Sequence, residues 1–162
     1  MAPYALVVAE DNPKDFEFLK QMVADWEHDC VIEHAPDGLI ALELAQAHDE
    51  PLIISDIQMP QMNGVEFAKA LWESKPKARI VFWSQFKDEM YVRTLAKIVP
   101  PETVYGYVLK SSPREKISAA MATVLFDDQC WIDPEVRKVQ GLTGHSQTAL
   151  SDIEYEALID LS

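Results

Sequence analysis

Residues Pro51 to Pro60 read PLIISDIQMP, an apolar run (Leu52, Ile53, Ile54, then Ser55) that ends in Asp56 and passes at once into Ile57, Gln58, Met59 and Pro60. Such a run reads as a strand buried on both faces of a parallel sheet, and ligand chemistry in those sheets gathers at the carboxyl ends of the strands. Packing gives no reason for a carboxylate there. Three more strand-like runs end in polar groups that suit the same site: Ala5 to Ala9 lead to Glu10 and Asp11, Ile80 to Trp83 lead to Ser84, and Tyr107 to Leu109 lead to Lys110. Together they offer three carboxylates, a hydroxyl and an ammonium.

Outward from that stretch, runs at Ala5 to Ala9, Cys30 to His34, Pro51 to Ser55, Arg79 to Trp83 and Val104 to Leu109 alternate with segments of helical period. The alternation predicts a doubly wound α/β fold, with five parallel strands and five flanking helices. Phe16, Leu19, Val23 and Trp26 recur at helical spacing after Asn12 and Pro13, which suit an N-cap and a first turn. Ala35 to Ala47, Gly64 to Glu73 and Lys87 to Ile98 read as further crossover helices, and Pro113 opens a last one carrying Ile117, Ala120, Met121, Val124 and Leu125. The division expected is a domain over 1–126, a linker over 127–150 with an extended piece at Cys130 to Ile132, and the start of a helical domain over 151–162. In that last part Ser151 and Glu154 form a capping-box pattern.

The 162 residues are 48% hydrophobic and 25% charged, as in ordinary globular domains. A net charge of −13 speaks against binding nucleic acid or an anionic membrane, because phosphate surfaces need clustered Lys and Arg. No run approaches the roughly 18 apolar residues of a membrane helix. A cytoplasmic setting follows as the expectation, with Cys30 and Cys130 as reduced structural thiols. His28, His34, His48 and His145 lack metal-ligand spacing.

Three convergent carboxylates repel one another unless a cation is present, and Mg2+ prefers such hard oxygen ligands while leaving positions for phosphate oxygens. Glu10 and Asp11 would hold the ion, and Asp56 would bridge it and act as nucleophile toward a phosphoryl group. Lys110 would balance the charge of that group and Ser84 would donate to one of its oxygens. Each residue also has a plainer reading. Asp56 could cap a helix, Glu10 and Asp11 before Asn12 and Pro13 could be capping chemistry, Lys110 could be a solvated side chain, and Ser84 alone says nothing. Only the set points to chemistry.

In this order the residues resemble the receiver domain of bacterial two-component response regulators, over about residues 4 to 126. The acidic pair matches Glu10 and Asp11, the phosphoacceptor with its following Met-Pro and later Gly matches Asp56, Met59, Pro60 and Gly64, and the family's Ser/Thr and Lys match Ser84 and Lys110. The resemblance implies a flavodoxin-like sheet of order 2-1-3-4-5 and a backbone carbonyl of Gln58 as third protein ligand to Mg2+. It implies Tyr107 as a switch residue that turns inward on phosphorylation; the plain alternative is a half-buried strand aromatic. It further implies a sensor histidine kinase or phosphotransfer protein as partner, a possible homodimer, and no enzyme activity beyond the domain's own phosphorylation and dephosphorylation. LFDDQCWIDPEV and ALSDIEYEALIDLS look like the linker and helix-turn-helix opening of LuxR-type regulators, so DNA contact is expected only through a C-terminal domain. Asp152 and Ile153 stand where that family usually has Pro-Arg. Gln85 replaces a usually small residue, and the connection through Val99, Pro100, Pro101 and Glu102 is longer than the family's usual turn.

Two other functions compete. A haloacid dehalogenase-type phosphatase also uses an Asp after a strand with Mg2+, but it requires a second Asp where Gln58 stands. A phosphorylation-independent interaction module would have no use for the acidic residues that are present here.

Overall fold

The computed structural model describes residues 3–85 and 89–138. The start of the predicted fourth helix at Lys87, the far part of the linker, His145 and the predicted helix after Ser151 lie outside the described residues. The chain alternates β1 (Tyr4–Ala9), α1 (Pro13–Ala24), β2 (Cys30–Ala35), α2 (Gly38–Gln46), β3 (Leu52–Ser55), α3 (Gly64–Ser74), β4 (Arg79–Ser84), α4 (Glu89–Ile98), β5 (Tyr105–Leu109), α5 (Arg114–Phe126) and β6 (Trp131–Ile132). All pairings are parallel, in the order β2-β1-β3-β4-β5-β6.

Two-residue periodicity sends successive strand side chains to opposite faces, and each face has its own core. Val7, Ile53, Ile80, Phe82 and Tyr107 pack with Phe67, Leu71 and Leu95 of α3 and α4. Leu6, Val8, Ile54, Val81, Trp83 and Val108 pack with Leu19 and Met22 of α1 and Ile117, Met121 and Val124 of α5. β1 and β3 are therefore apolar on both sides, which is why they read as unbroken runs. In α2 the buried residues are the small Gly38, Ala41 and Ala45, whereas Leu39 and Ile40 are exposed. Small side chains bring that helix close to the sheet, so its larger apolar residues turn outward.

The helix starts follow local chemistry. Asn12 Oδ1 accepts from the Lys14 and Asp15 amides with Pro13 beside it, and Asn63 and Glu66 form a reciprocal capping box at α3. Gly64 is required by close approach, because a Cβ there would overlap the carbonyl oxygen of Asp56.

One feature departs from the five-stranded expectation. Trp131 and Ile132 add a sixth parallel strand beside Gly106 and Tyr107. The Asp133 amide donates to the Tyr107 carbonyl at 2.8 Å, its Oδ1 accepts from the Glu135 amide at 3.0 Å, and its Oδ2 accepts from Ser112 Oγ at 3.0 Å. A helical turn over 134–138 follows, with Val136 fully buried. The long connection before β5 turns back through a Thr103 amide to Pro100 carbonyl bond, with Glu102 at φ 66°.

Candidate functional site

Reversal of strand order at β1 opens a crevice above β1 and β3 at their carboxyl ends. Ala9 and Ser55 are in register, and the Asp56 amide donates to the Ala9 carbonyl at 2.9 Å, so Glu10, Asp11 and Asp56 emerge side by side. One carboxylate oxygen from each lies within 4.8 Å of the others. On the neighbouring tips, Ser84 and Leu109 are paired and the Lys110 amide donates to the Ser84 carbonyl at 2.8 Å. Asp11, Asn12, Asp15, Asp56, Gln58, Gln85 and Lys110 line a cleft of about 370 Å³. Parallel pairing thus collects residues 10, 56, 84 and 110 at one edge.

Within it Asp56 is 8% exposed, its Oδ1 accepting from the Ile57 amide at 2.7 Å and its Oδ2 from Lys110 Nζ at 3.2 Å. Glu10 is fully buried. Its Oε1 takes Trp83 Nε1–H at 2.9 Å and Lys110 Nζ at 3.0 Å, and its Oε2 takes the Asn12 amide at 3.1 Å. His34 Nε2 lies 2.8 Å from the Glu10 carbonyl oxygen, so this nitrogen carries the proton, and its ring stacks on Phe16 at 3.9 Å. Asp11, by contrast, is exposed to solvent.

Lys110 makes its shortest ion pair, 2.7 Å, with Asp15 Oδ2, beside those to Glu10 and Asp56. Burial works against its charge, but the Asp15 hydrogen bond and the charges of Asp56 and Glu10 outweigh it, and its pKa rises above lysine's ordinary value. Burial, and then the Asp56 charge, push the Glu10 carboxyl upward against the Asn12 and Lys110 donors. One ammonium shared by three carboxylates leaves the cleft short of positive charge. The donor set, three carboxylates with hard oxygens within 4.8 Å of one another and Asp11 open to solvent, fits a hydrated divalent cation such as Mg2+.

Ser84 is fully buried at the tip of β4, and Gln58 is exposed on the loop after β3, its Nε2 donating to Tyr91 Oη at 3.4 Å. Tyr107 is 1% exposed and sits in the core on the α4 side, 6.5 Å from the Phe82 ring. One participant was not legible as a site residue: Asp15 reads as first-turn acidity on a helix, and only the fold turns it toward Lys110. Trp83 borders Ser84 in the chain and is placed beside the site by that adjacency, but its bond to Glu10 is seen only in the structure.

Residues 6–122 match the family model described as response regulator receiver domain. The nitrate/nitrite response regulator protein NarL of Escherichia coli strain K12 is 31% identical over 119 residues, covering 74% of this chain and 53% of that protein. The transcriptional regulatory protein DegU of Brevibacillus brevis is 28% identical over 131 residues, covering 81% and 53%. The chain thus spans about half the length of these curated relatives. Among solved structures, the isolated REC domain of RcsB from Salmonella enterica serovar Typhimurium, in the presence of the phosphomimetic BeF3−, superimposes with a TM-score of 0.72 at 16% identity over 85% of this chain and 99% of that one. The CheX-CheY-BeF3-Mg+2 complex from Borrelia burgdorferi gives a TM-score of 0.63 at 21% identity, over 75% and 89%. At these identities the two structures speak for the fold.

Proposed function

The chain belongs to the response regulator receiver domain family, and from that premise we propose that Asp56 accepts a phosphoryl group from a sensor histidine kinase or phosphotransfer protein, in a reaction that depends on Mg2+. The observation that carries the reading is the Asp56 carboxylate at the open edge of the sheet, with Lys110 Nζ at 3.2 Å and the Glu10 and Asp11 carboxylates beside it. An Asp56 oxygen forms the new P–O bond as the donor's phosphorus–nitrogen bond breaks, and the donor imidazole leaves with the bonding pair. Lys110 exchanges a carboxylate contact for a phosphoryl oxygen, and Ser84 at the next tip donates to another. Glu10, Asp11, Asp56 and the Gln58 carbonyl would hold Mg2+, which when bound neutralises charge on the phosphoryl oxygens. Tyr107 is the proposed switch residue, and Gln85 on the rim of the cleft governs access.

A receiver is a signalling protein, and the chemistry proposed here is confined to its own phosphorylation and dephosphorylation. The regulators among its relatives support a LuxR-type transcription regulator as its context. In that context 1–126 is the receiver, 127–150 the linker and 151–162 the opening of a DNA-binding domain, in the cytoplasm, with phosphorylation shifting a homodimer. Among the described residues no helix is long and apolar enough to cross a membrane. The test is incorporation of phosphate from acetyl phosphate, read by mass spectrometry. Labelling is expected only with Mg2+ and is expected to vanish in Asp56→Asn; a variant labelled as well as the unmodified chain sinks the assignment.

A further inference from the structure

Trp83 is 2% exposed on the α1–α5 side of β4, its ring parallel to Phe18 at 5.6 Å with 7° between the planes. Any large hydrophobe would fill that space. What tryptophan adds is a donor, and a buried indole N–H needs an acceptor. Trp72 meets that need with the Ala78 carbonyl and Trp26 with Ser118 Oγ. Trp83 instead donates at 2.9 Å to Oε1 of the fully buried Glu10, while its ring lies 4.8 Å from the Lys110 ammonium. A single side chain outside the carboxylate cluster therefore touches both the buried carboxylate and the cation of the site.

The consequence lies in what Lys110 must do. Glu10 has three donors, and one of them is Lys110. On phosphorylation the ammonium turns toward the phosphoryl group, and with no exposure Glu10 has no solvent to replace it. We propose that Trp83 is a positioning residue of the phosphoacceptor site: its N–H keeps the Glu10 carboxylate oriented toward the cation, and its ring supports Lys110, while the lysine changes partners. Bonds from outer residues to metal-binding carboxylates act in this way, through ligand orientation. The inference rests on the reading of Asp56 as phosphoacceptor.

The experiment follows the indole N–H resonances of the 15N-labelled chain through a Mg2+ titration, with Mg2+ affinity measured by calorimetry. Trp83→Phe removes the N–H but keeps an aromatic ring, and the resonance it deletes identifies Trp83. That resonance is expected to move with Mg2+ while those of Trp26 and Trp72 stay. Trp83→Phe is expected to weaken Mg2+ binding roughly tenfold, and to change it by less than about twofold when Glu10→Gln is already present, because the two share one interaction. A Trp83 resonance indifferent to Mg2+ in a chain that binds it, or full Mg2+ affinity in Trp83→Phe, overturns the role of Trp83 and leaves the phosphoacceptor reading standing. An unmodified chain that binds no Mg2+ overturns both. If Trp83→Phe fails to fold, Trp26→Phe, Trp72→Phe and Trp131→Phe assign the other three indole resonances, and the remaining one in the unmodified chain decides.

Discussion

Glu10 and Lys110 show how a site holds charges that the fold alone would not choose. The folded chain binds the Glu10 proton more tightly than the unfolded chain, since burial and Asp56 raise its pKa. Its contribution to stability is therefore greatest below the ordinary value of 4.5 and is lost as pH rises through the folded value. The stability of Glu10→Gln relative to the unmodified metal-free chain is accordingly expected to improve as pH rises from acid to 7, while Mg2+ binding weakens. Thermal scans across pH check the first part, and a relative stability that does not improve toward pH 7 contradicts it. Lys110 has the opposite use. Its carboxylate partners offset the burial that works against its charge, and Lys110→Ala is expected to keep Mg2+ binding but to uncouple phosphorylation from the conformational response. If that variant changes hydrodynamic size on phosphorylation as the unmodified chain does, the role given to Lys110 is wrong.

At the scale of elements, β6 is held by its two ladder residues, by the burial of Ile132 and by Asp133. That side chain caps the turn over 134–138 and accepts from Ser112, two residues past Lys110, while its amide is bonded to Tyr107. Asp133→Ala leaves the Ser112 hydroxyl and the Glu135 amide to find water. The expected cost is about 1–2 kcal/mol, the range for a lost cap, measured by urea denaturation. Hydrogen exchange at the Asp133 amide is expected to speed up more than exchange in β1 or β3. Uniform loss of protection across the sheet would show instead that β6 is inseparable from the core.

For the molecule as a whole, β6 changes which surface a second copy can use. It covers the edge of β5 at Gly106 and Tyr107, so a dimer on the α4–β5–α5 side cannot extend the sheet at those two residues and has helix faces and β6 to build on. The long connection before β5 lies at the amino end of the sheet, where Thr103 Oγ1 donates to the Pro76 carbonyl at 2.5 Å, away from the phosphoacceptor edge. Phosphorylation can move a monomer–dimer equilibrium only by the difference in contacts between the two states. Sedimentation of the chain alone, and with Mg2+ and beryllofluoride as an unreactive stand-in for the phosphoryl group, is expected to show a shift toward dimer. A monomer in both conditions refutes the switch, and an unchanged dimer indicates a preformed one.

The linear order already contained the sheet: runs such as Leu52 to Ile54, apolar at every position, can be covered only from both faces, and the helical periods between them leave parallel crossovers as the connection. It also located Glu10, Asp11, Asp56, Ser84 and Lys110, because a polar group that closes an apolar run is placed at a sheet edge by the run itself. The reach of α1 that brings Asp15 to Lys110, the indole of Trp83 at Glu10, the outward turn of Leu39 and Ile40, and the docking of Trp131 and Ile132 beside β5 were decided by the tertiary structure alone. Those contacts join residues far apart in the chain, 95 positions for Asp15 and Lys110 and 73 for Trp83 and Glu10. They depend on where whole elements come to rest, which no local pattern encodes.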